Sequence, residues 1–204
     1  MENKRKLNTR LLGVMTSTFR DTHLLEDLRS RFNAGEKQNY VFFWGHQPSK
    51  SGVTASCFSQ WYYAPFVVEG QNYPTAEHFM MAEKAALFGD QATRELVLQA
   101  PHPEAAKALG RQVRGFNEAA WLEKRFTIVT QASEAKFAQN AELGLFLKQT
   151  GSRILVEASP VDRIWGIGLA QDDEKVSNPN LWRGLNLLGF ALMQVRDGAC
   201  PRAV

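Results

Sequence analysis

Glu77 and Lys84 lie seven residues apart in the run Tyr73-Pro74-Thr75-Ala76-Glu77-His78-Phe79-Met80-Met81-Ala82-Glu83-Lys84-Ala85. At about 100° per residue this spacing falls about 20° short of two helical turns, so both side chains share one face about 10.5 Å apart. The macrodipole favours the charged form of an acid in a helix's first turn, whereas burial against Met80 and Met81 raises its pKa. The balance suits Glu77 to proton transfer. In the plainer alternative Glu77 is a well-placed first-turn carboxylate, Lys84 is solvated, and the Met and Phe residues are core.

A second candidate is Pro160-Val161-Asp162-Arg163-Ile164-Trp165-Gly166-Ile167-Gly168. Asp162 offers a charged acceptor, Trp165 a stacking face, and Gly166 and Gly168 a backbone that a ligand can approach closely. The alternative is a Trp-anchored turn in which Asp162 caps a backbone amide. Gly166-Ile167-Gly168 lacks the third glycine of a dinucleotide-binding fingerprint. A third set, Trp61, Arg111, Arg114, Trp121, Lys124 and Arg125, combines rings that stack on bases with guanidinium groups that grip phosphate. Trp121 and Arg125 share a helix face. The four His residues make no metal-ligand pairing with one another or with Cys, so no metal is expected.

These groups must be positioned by a chain in which helical patterns outnumber strands. Leu24, Leu25, Leu28 and Phe32 predict a helix with Asp21 as N-cap and Gly35 as stop, after a polar, flexible lead over residues 1–18. Tyr40 to Trp44 and Phe58 to Val68 read as strands, the latter leaving through a Glu69-Gly70-Gln71-Asn72 turn. Helices follow from Pro74 with Thr75 as N-cap, from Gly89-Asp90 to Ala100, from Glu104 to Leu109, from Asn117 to about Gln139, and from Asn140 to Gly151. Ile154 to Ala158 is a strand, Pro160 to Gly168 a shaped loop, Gln171 to Asn180 a polar mobile segment, and Leu185 to Val195 a closing helix. Strands and helices do not alternate, which favours α+β: a predominantly helical single domain with a small β-sheet.

The 204 residues are 44% hydrophobic and 22% charged, which excludes collagen-like and disordered classes, and the formal charge of +3 permits anionic ligands without demanding them. Cys57 and Cys200 are too few for a disulfide framework, no apolar run reaches membrane length, and the apolar patch Leu11 to Met15 is too short for a signal peptide. A soluble, cytoplasmic protein is expected.

The ordered pieces Phe43-Trp44-Gly45, Phe58-Ser59-Gln60-Trp61, Tyr73-Pro74-Thr75-Ala76-Glu77-His78, Glu83-Lys84-Ala85, Ala106-Lys107 with Gly110-Arg111, Trp121 with Arg125, Lys136-Phe137, Leu155-Val156-Glu157, Asp162 with Trp165-Gly166, and Gly184-Leu185-Asn186 resemble the NADAR family of YbiA-like N-glycosidases. Ser59-Gln60-Trp61 stands where the family more often has Ser-Asn-Phe. The resemblance implies a YbiA-like fold over residues 40–198, with residues 1–39 an extension carrying one helix and 199–204 a tail. It implies hydrolysis of an N-glycosidic bond at ribose C1 without a cofactor. The substrate is an ADP-ribose-modified guanine of DNA or RNA, or else a phosphoribosylamino-pyrimidine intermediate of riboflavin synthesis; a non-catalytic ADP-ribose reader is the third reading. Some family members act as antitoxins to DNA ADP-ribosyltransferase toxins, which makes such a toxin an expected partner.

By the same resemblance Glu77, Asp162 and Trp165 belong to the catalytic pocket with Lys84 in the same helix motif. Ser59, Trp61, Arg111, Trp121, Arg125, Gly166, Gly168 and Asn186 are expected at the ligand. Cleavage through an oxocarbenium-like centre needs a proton for the departing base and negative charge near C1, which suits two carboxylates. Lys84 either binds phosphate or pairs with Glu77, or attacks ring-opened C1 as a Schiff-base amine.

Overall fold

A computed structural model describes residues 21–198. The chain forms α1 (21–33), β1 (Tyr40–Phe43), β2 (Phe66–Val68), β3 (Gln71–Tyr73), α2 (Ala76–Leu87), α3 (Gln91–Leu98), α4 (Pro103–Gly110), α5 (Glu118–Gln139), α6 (Ala141–Gln149), β4 (Ile154–Glu157) and α7 (Leu187–Arg196). Single 3₁₀ turns occupy Ala55–Phe58 and Pro179–Leu181. The lead expected over residues 1–18 and the tail at 199–204 lie outside the described residues. This is an α+β fold dominated by helix, as the sequence predicts.

Helix starts follow their side chains. Thr75 accepts from the His78 N–H at α2, Asp90 from the Thr93 N–H at α3, and Asn117 from the Ala120 N–H at α5. Asp90 also takes the backbone N–H and guanidinium of Arg114, and these bonds hold its carboxyl well below the usual range. The long helix α5 buries Phe126, Val129, Ala132 and Phe137 against α2 and α7. Phe43, Phe58, Phe66, Tyr73, Phe79, Leu155 and Leu188 join the same core, to which α1 contributes Leu25 and Leu28.

Two small β-pairs complete the frame. β2 and β3 form an antiparallel hairpin whose outer edge is closed by the Gln139 amide, which donates to the Val67 carbonyl and accepts from its N–H, each at 2.8 Å. β1 and β4 run parallel, with Phe43 opposite Glu157, so β4 delivers Glu157 at the carboxyl end of the pair. That is the end of a parallel sheet at which ligands usually bind.

Three expectations are corrected. Phe58 to Val68 is not one strand. The Cys57 and Ser59 carbonyls are taken by the buried Lys136 ammonium at 2.7 and 2.9 Å instead of by a neighbouring strand, and only Phe66–Val68 pairs. The turn after it is correspondingly tighter, since Gln71 already pairs with Val68. Asp21 does not cap α1: it is already helical, and its carboxylate receives the Arg125 guanidinium at 2.6 and 3.0 Å. Within the expected mobile segment, Val176 is buried and its carbonyl accepts from the Trp182 indole at 2.7 Å. Among the described residues no helix is long and apolar enough to cross a membrane.

Candidate active site

Glu77 occupies the first turn of α2, is 2% exposed, and donates its backbone N–H to the Gln60 carbonyl at 3.0 Å. That bond fastens the helix start to the Ser59-Gln60-Trp61 turn, which Lys136 grips from behind. Burial pushes the Glu77 carboxyl up to about 7 against the pull of Lys107, the Trp61 indole and Arg111, and the charge on Asp162 pushes it further. Its Oε1 is sealed from solvent and has no hydrogen-bond partner.

A second carboxylate joins it. Glu157 ends β4, where its N–H donates to the Asn186 side chain and its carbonyl accepts from Ile167, both at 3.0 Å. Burial first, then the charges on Asp162 and Glu77, raise its carboxyl to about 8, with Lys107 acting in the opposite direction. Its Oε2 also lacks a partner.

Asp162 completes the group from the loop after β4. Its Oδ1 accepts from the Ile164 and Trp165 N–H groups, each at 2.8 Å, which fixes the turn as a backbone cap. The Asp162 carboxylate also acts electrostatically on both glutamates, besides capping the turn. Trp165 is half-buried against the core, and its carbonyl accepts from the Leu188 N–H at the start of α7.

The expected ligand residues divide. Trp61 is half-buried beside Glu77, with the His46 ring centred 5.5 Å away and the Lys107 ammonium 5.6 Å from its own ring centre. Arg111 is exposed where α4 ends and acts on Glu77. Ser59 turns its hydroxyl to the Trp61 N–H. Lys84 and Trp121 form another group: the lysine donates to the Gly110 carbonyl at 2.8 Å and lies 4.5 Å from the Phe116 ring centre and 5.6 Å from that of Trp121. Burial lowers the Lys84 pKa, while Lys107 is the cation that acts most strongly on Glu77.

Four residues expected at the ligand are held by contacts within the fold. Arg125 is 6% exposed and committed to Asp21, and Asn186 is fully buried between the Glu157 N–H and the Leu155 carbonyl. Gly166 is buried where an added Cβ would come within 2.8 Å of the Glu157 carbonyl, and Gly168 has φ +68°, with an added Cβ at 3.0 Å from that of Arg183. Both glycines let the loop press onto its neighbours. Among the described residues no group of three or more His, Cys, Asp or Glu is arranged to hold a metal ion.

Sequence reasoning missed Glu157 and Lys107 as site residues. A carboxylate closing the otherwise apolar Ile154-Leu155-Val156 run marks the first. The four-residue spacing of Lys107 and Arg111, at one end of α4, marks the second.

The family model for the NADAR domain matches residues 42–198. "N-glycosidase R617" of Acanthamoeba polyphaga mimivirus is 41% identical over 167 residues, covering 79% of this chain and 97% of that protein. "N-glycosidase YbiA" of Escherichia coli K12 is 32% identical over 142 residues, 70% of this chain and 78% of the relative. The NMR structure of E. coli YbiA superposes with a TM-score of 0.63 at 28% identity, covering 80% of this chain and 86% of that one. With its matched region containing Glu77, Lys107, Glu157 and Asp162 in a single cluster, the chain belongs to the NADAR domain family.

Proposed function

We propose that this protein is an N-glycosidase that hydrolyses the bond between ribose C1 and a base nitrogen, and that its substrate is a guanine base of nucleic acid carrying ADP-ribose. The observation that carries the reading is the buried Glu77 carboxyl, raised to about 7 and left with an unpartnered oxygen beside two further carboxylates. A carboxyl with that proton affinity acts as a general acid at neutral pH. The names of the relatives, N-glycosidases in a virus and in bacteria, support the reaction class.

In the proposed reaction protonated Glu77 gives its proton to the departing base nitrogen as the C1–N bond breaks, with the bonding pair leaving on the base. The carboxylate of Asp162 stabilises the positive charge that develops on the ribosyl group. Water adds at C1 and returns a proton to Glu77, so the products are the unmodified guanine, still in its strand, and ADP-ribose with a hydroxyl at C1. Glu157, whose proton affinity burial and the charges on Asp162 and Glu77 raise, adds a second buried carboxyl beside the reacting centre. Lys107 and Arg111 supply positive charge suited to substrate phosphate. The antitoxin role belongs to this reading.

The test is release of ADP-ribose from an oligonucleotide carrying ADP-ribosylated guanine, run beside the phosphoribosylamino-pyrimidine intermediate and a thymine-linked control. Release from guanine alone is the expected result. Turnover of the pyrimidine intermediate alone replaces the substrate, and binding of ADP-ribose without turnover of any of the three replaces the enzyme with a reader.

A further inference from the structure

A cavity of about 480 Å³ adjoins the site and shares Trp61 with it. Its wall includes His46, Trp61, Tyr62, Tyr63, His78 and His102, with four prolines, and contains no Asp, Glu, Lys or Arg. This volume is in the range of small-molecule sites. Proline and aromatic faces favour a flat apolar ring, and the absence of full charges in the wall disfavours a phosphate or carboxylate occupant.

The polar groups are arranged for a neutral partner. His78 engages both ring nitrogens, with Thr75 Oγ1 at 2.8 Å and the Ala100 carbonyl at 3.1 Å, and burial lowers its pKa. His102 accepts the Ala105 N–H on Nδ1 at 3.1 Å, which places a neutral ring's proton on Nε2 as a donor. His46 is tilted 59° against Trp61, and Tyr63 is 71% exposed. A flat ring bearing hydrogen-bonding nitrogens fits this chemistry.

We infer that the cavity lined by His46, Trp61, Tyr62 and Tyr63 is a second base-binding subsite, which takes a neutral nucleobase beside the carboxylate cluster. The inference deepens the proposed function and rests on it for the occupant being part of the substrate. The ring comes either from the base flanking the target guanine or from the adenine of ADP-ribose, which share this chemistry.

Adenosine and ribose 5-phosphate are titrated separately into the full-length protein, its Tyr63→Ala variant and its His46→Ala variant, with thermal melts confirming that all three are folded. Adenosine binds the native protein saturably, and each variant weakens it by about fivefold or more, the scale of one lost stacking contact, without changing ribose 5-phosphate binding. Absent adenosine binding, or affinities equal in all three proteins, overturns the subsite whether or not the enzyme turns over. Conversely, the adenosine result with no glycosidase activity on any substrate leaves the subsite standing and removes the proposed reaction. Where turnover is present, the variants raise KM for ADP-ribosyl-guanine oligonucleotide. The rise disappears with abasic flanks if the flanking base occupies the cavity, or with a phosphoribosyl adduct if adenine does. A rise that survives both changes overturns the assignment.

Discussion

The molecule handles buried carboxylates in two opposite ways. Asp21 is 3% exposed and receives Arg125, and Asp90, equally buried, accepts from Thr93 and Arg114 through both oxygens. Glu77 is at least as buried, yet one of its oxygens and one of Glu157 have no partner, and the charge on Asp162 raises the proton affinity of both. Saturated acids tie elements together, α1 to α5 and α3 to the loop before α5. Unsaturated ones retain protons near neutral pH, which is costly for folding and useful for proton transfer.

The largest test removes the proton itself. Glu77→Gln keeps the shape and is expected to lower turnover by about 10²- to 10⁴-fold with substrate binding retained, as measured by single-turnover kinetics and titration. The same change sharpens the stability contrast. Because the folded pKa of Glu77 lies above its unfolded value, its stabilising contribution is full below about pH 4.5 and is lost as pH rises through about 7. The variant therefore melts higher than the native protein at pH 8, by on the order of 2 kcal/mol or about 5 °C, and the advantage vanishes near pH 4. An equal or lower melting temperature at pH 8 contradicts uncompensated burial of Glu77.

At the saturated end the sign reverses. Arg125→Met strands the Asp21 carboxylate and is expected to destabilise the fold by about 3 kcal/mol in denaturant unfolding, with kcat per folded molecule unchanged. Adding Asp21→Asn recovers part of the loss. A fall in kcat with unchanged stability returns Arg125 to the ligand.

Why Glu77 and Asp162 were legible in the sequence while Glu157 and Lys107 were not follows from range. Thr75 and Asn117 announce α2 and α5 because a cap acts within three residues, so Glu77's place in a first turn is local information. The Asp162 turn is likewise closed within three residues. Glu157 and Lys107 reach the site through contacts across 80 and 30 positions from Glu77, which no periodicity encodes. The aromatic stretch Phe58 to Val68 misleads for a related reason. Its composition favours strand, but a lysine almost eighty residues away takes its carbonyls. Trp121 and Arg125 were correctly placed on one helix, but their partners, Lys84 and Asp21, lie on other helices and were not legible from that spacing.

That distant lysine gives an intermediate test. Lys136 is 1% exposed and burial lowers its pKa to about 7, so it holds the Ser59-Gln60-Trp61 turn at some cost. Lys136→Met leaves two carbonyls without their donor and is expected to destabilise by about 2 kcal/mol. If the lysine positions Trp61 against Glu77, kcat falls about tenfold and the alkaline limb of the kcat/KM profile moves upward, because the indole that favours ionised Glu77 is displaced. A loss of stability with an unmoved profile confines Lys136 to the fold.

The smallest effect isolates a single charge. Lys107 opposes the raised pKa of both Glu77 and Glu157, so Lys107→Met removes the cation while the carboxylates and their burial remain. Each glutamate then holds its proton to a higher pH. A reaction that needs protonated Glu77 keeps its rate further into alkali, and the descending limb of kcat/KM shifts up by about half a pH unit to one unit. A reaction that needs ionised Glu77 as its base shows the opposite change on the other side: the ascending limb moves up and activity at neutral pH is lost. Which limb moves, with neutral-pH activity kept or lost, therefore distinguishes acid from base at Glu77, while loss of phosphate affinity in the same variant appears separately in KM.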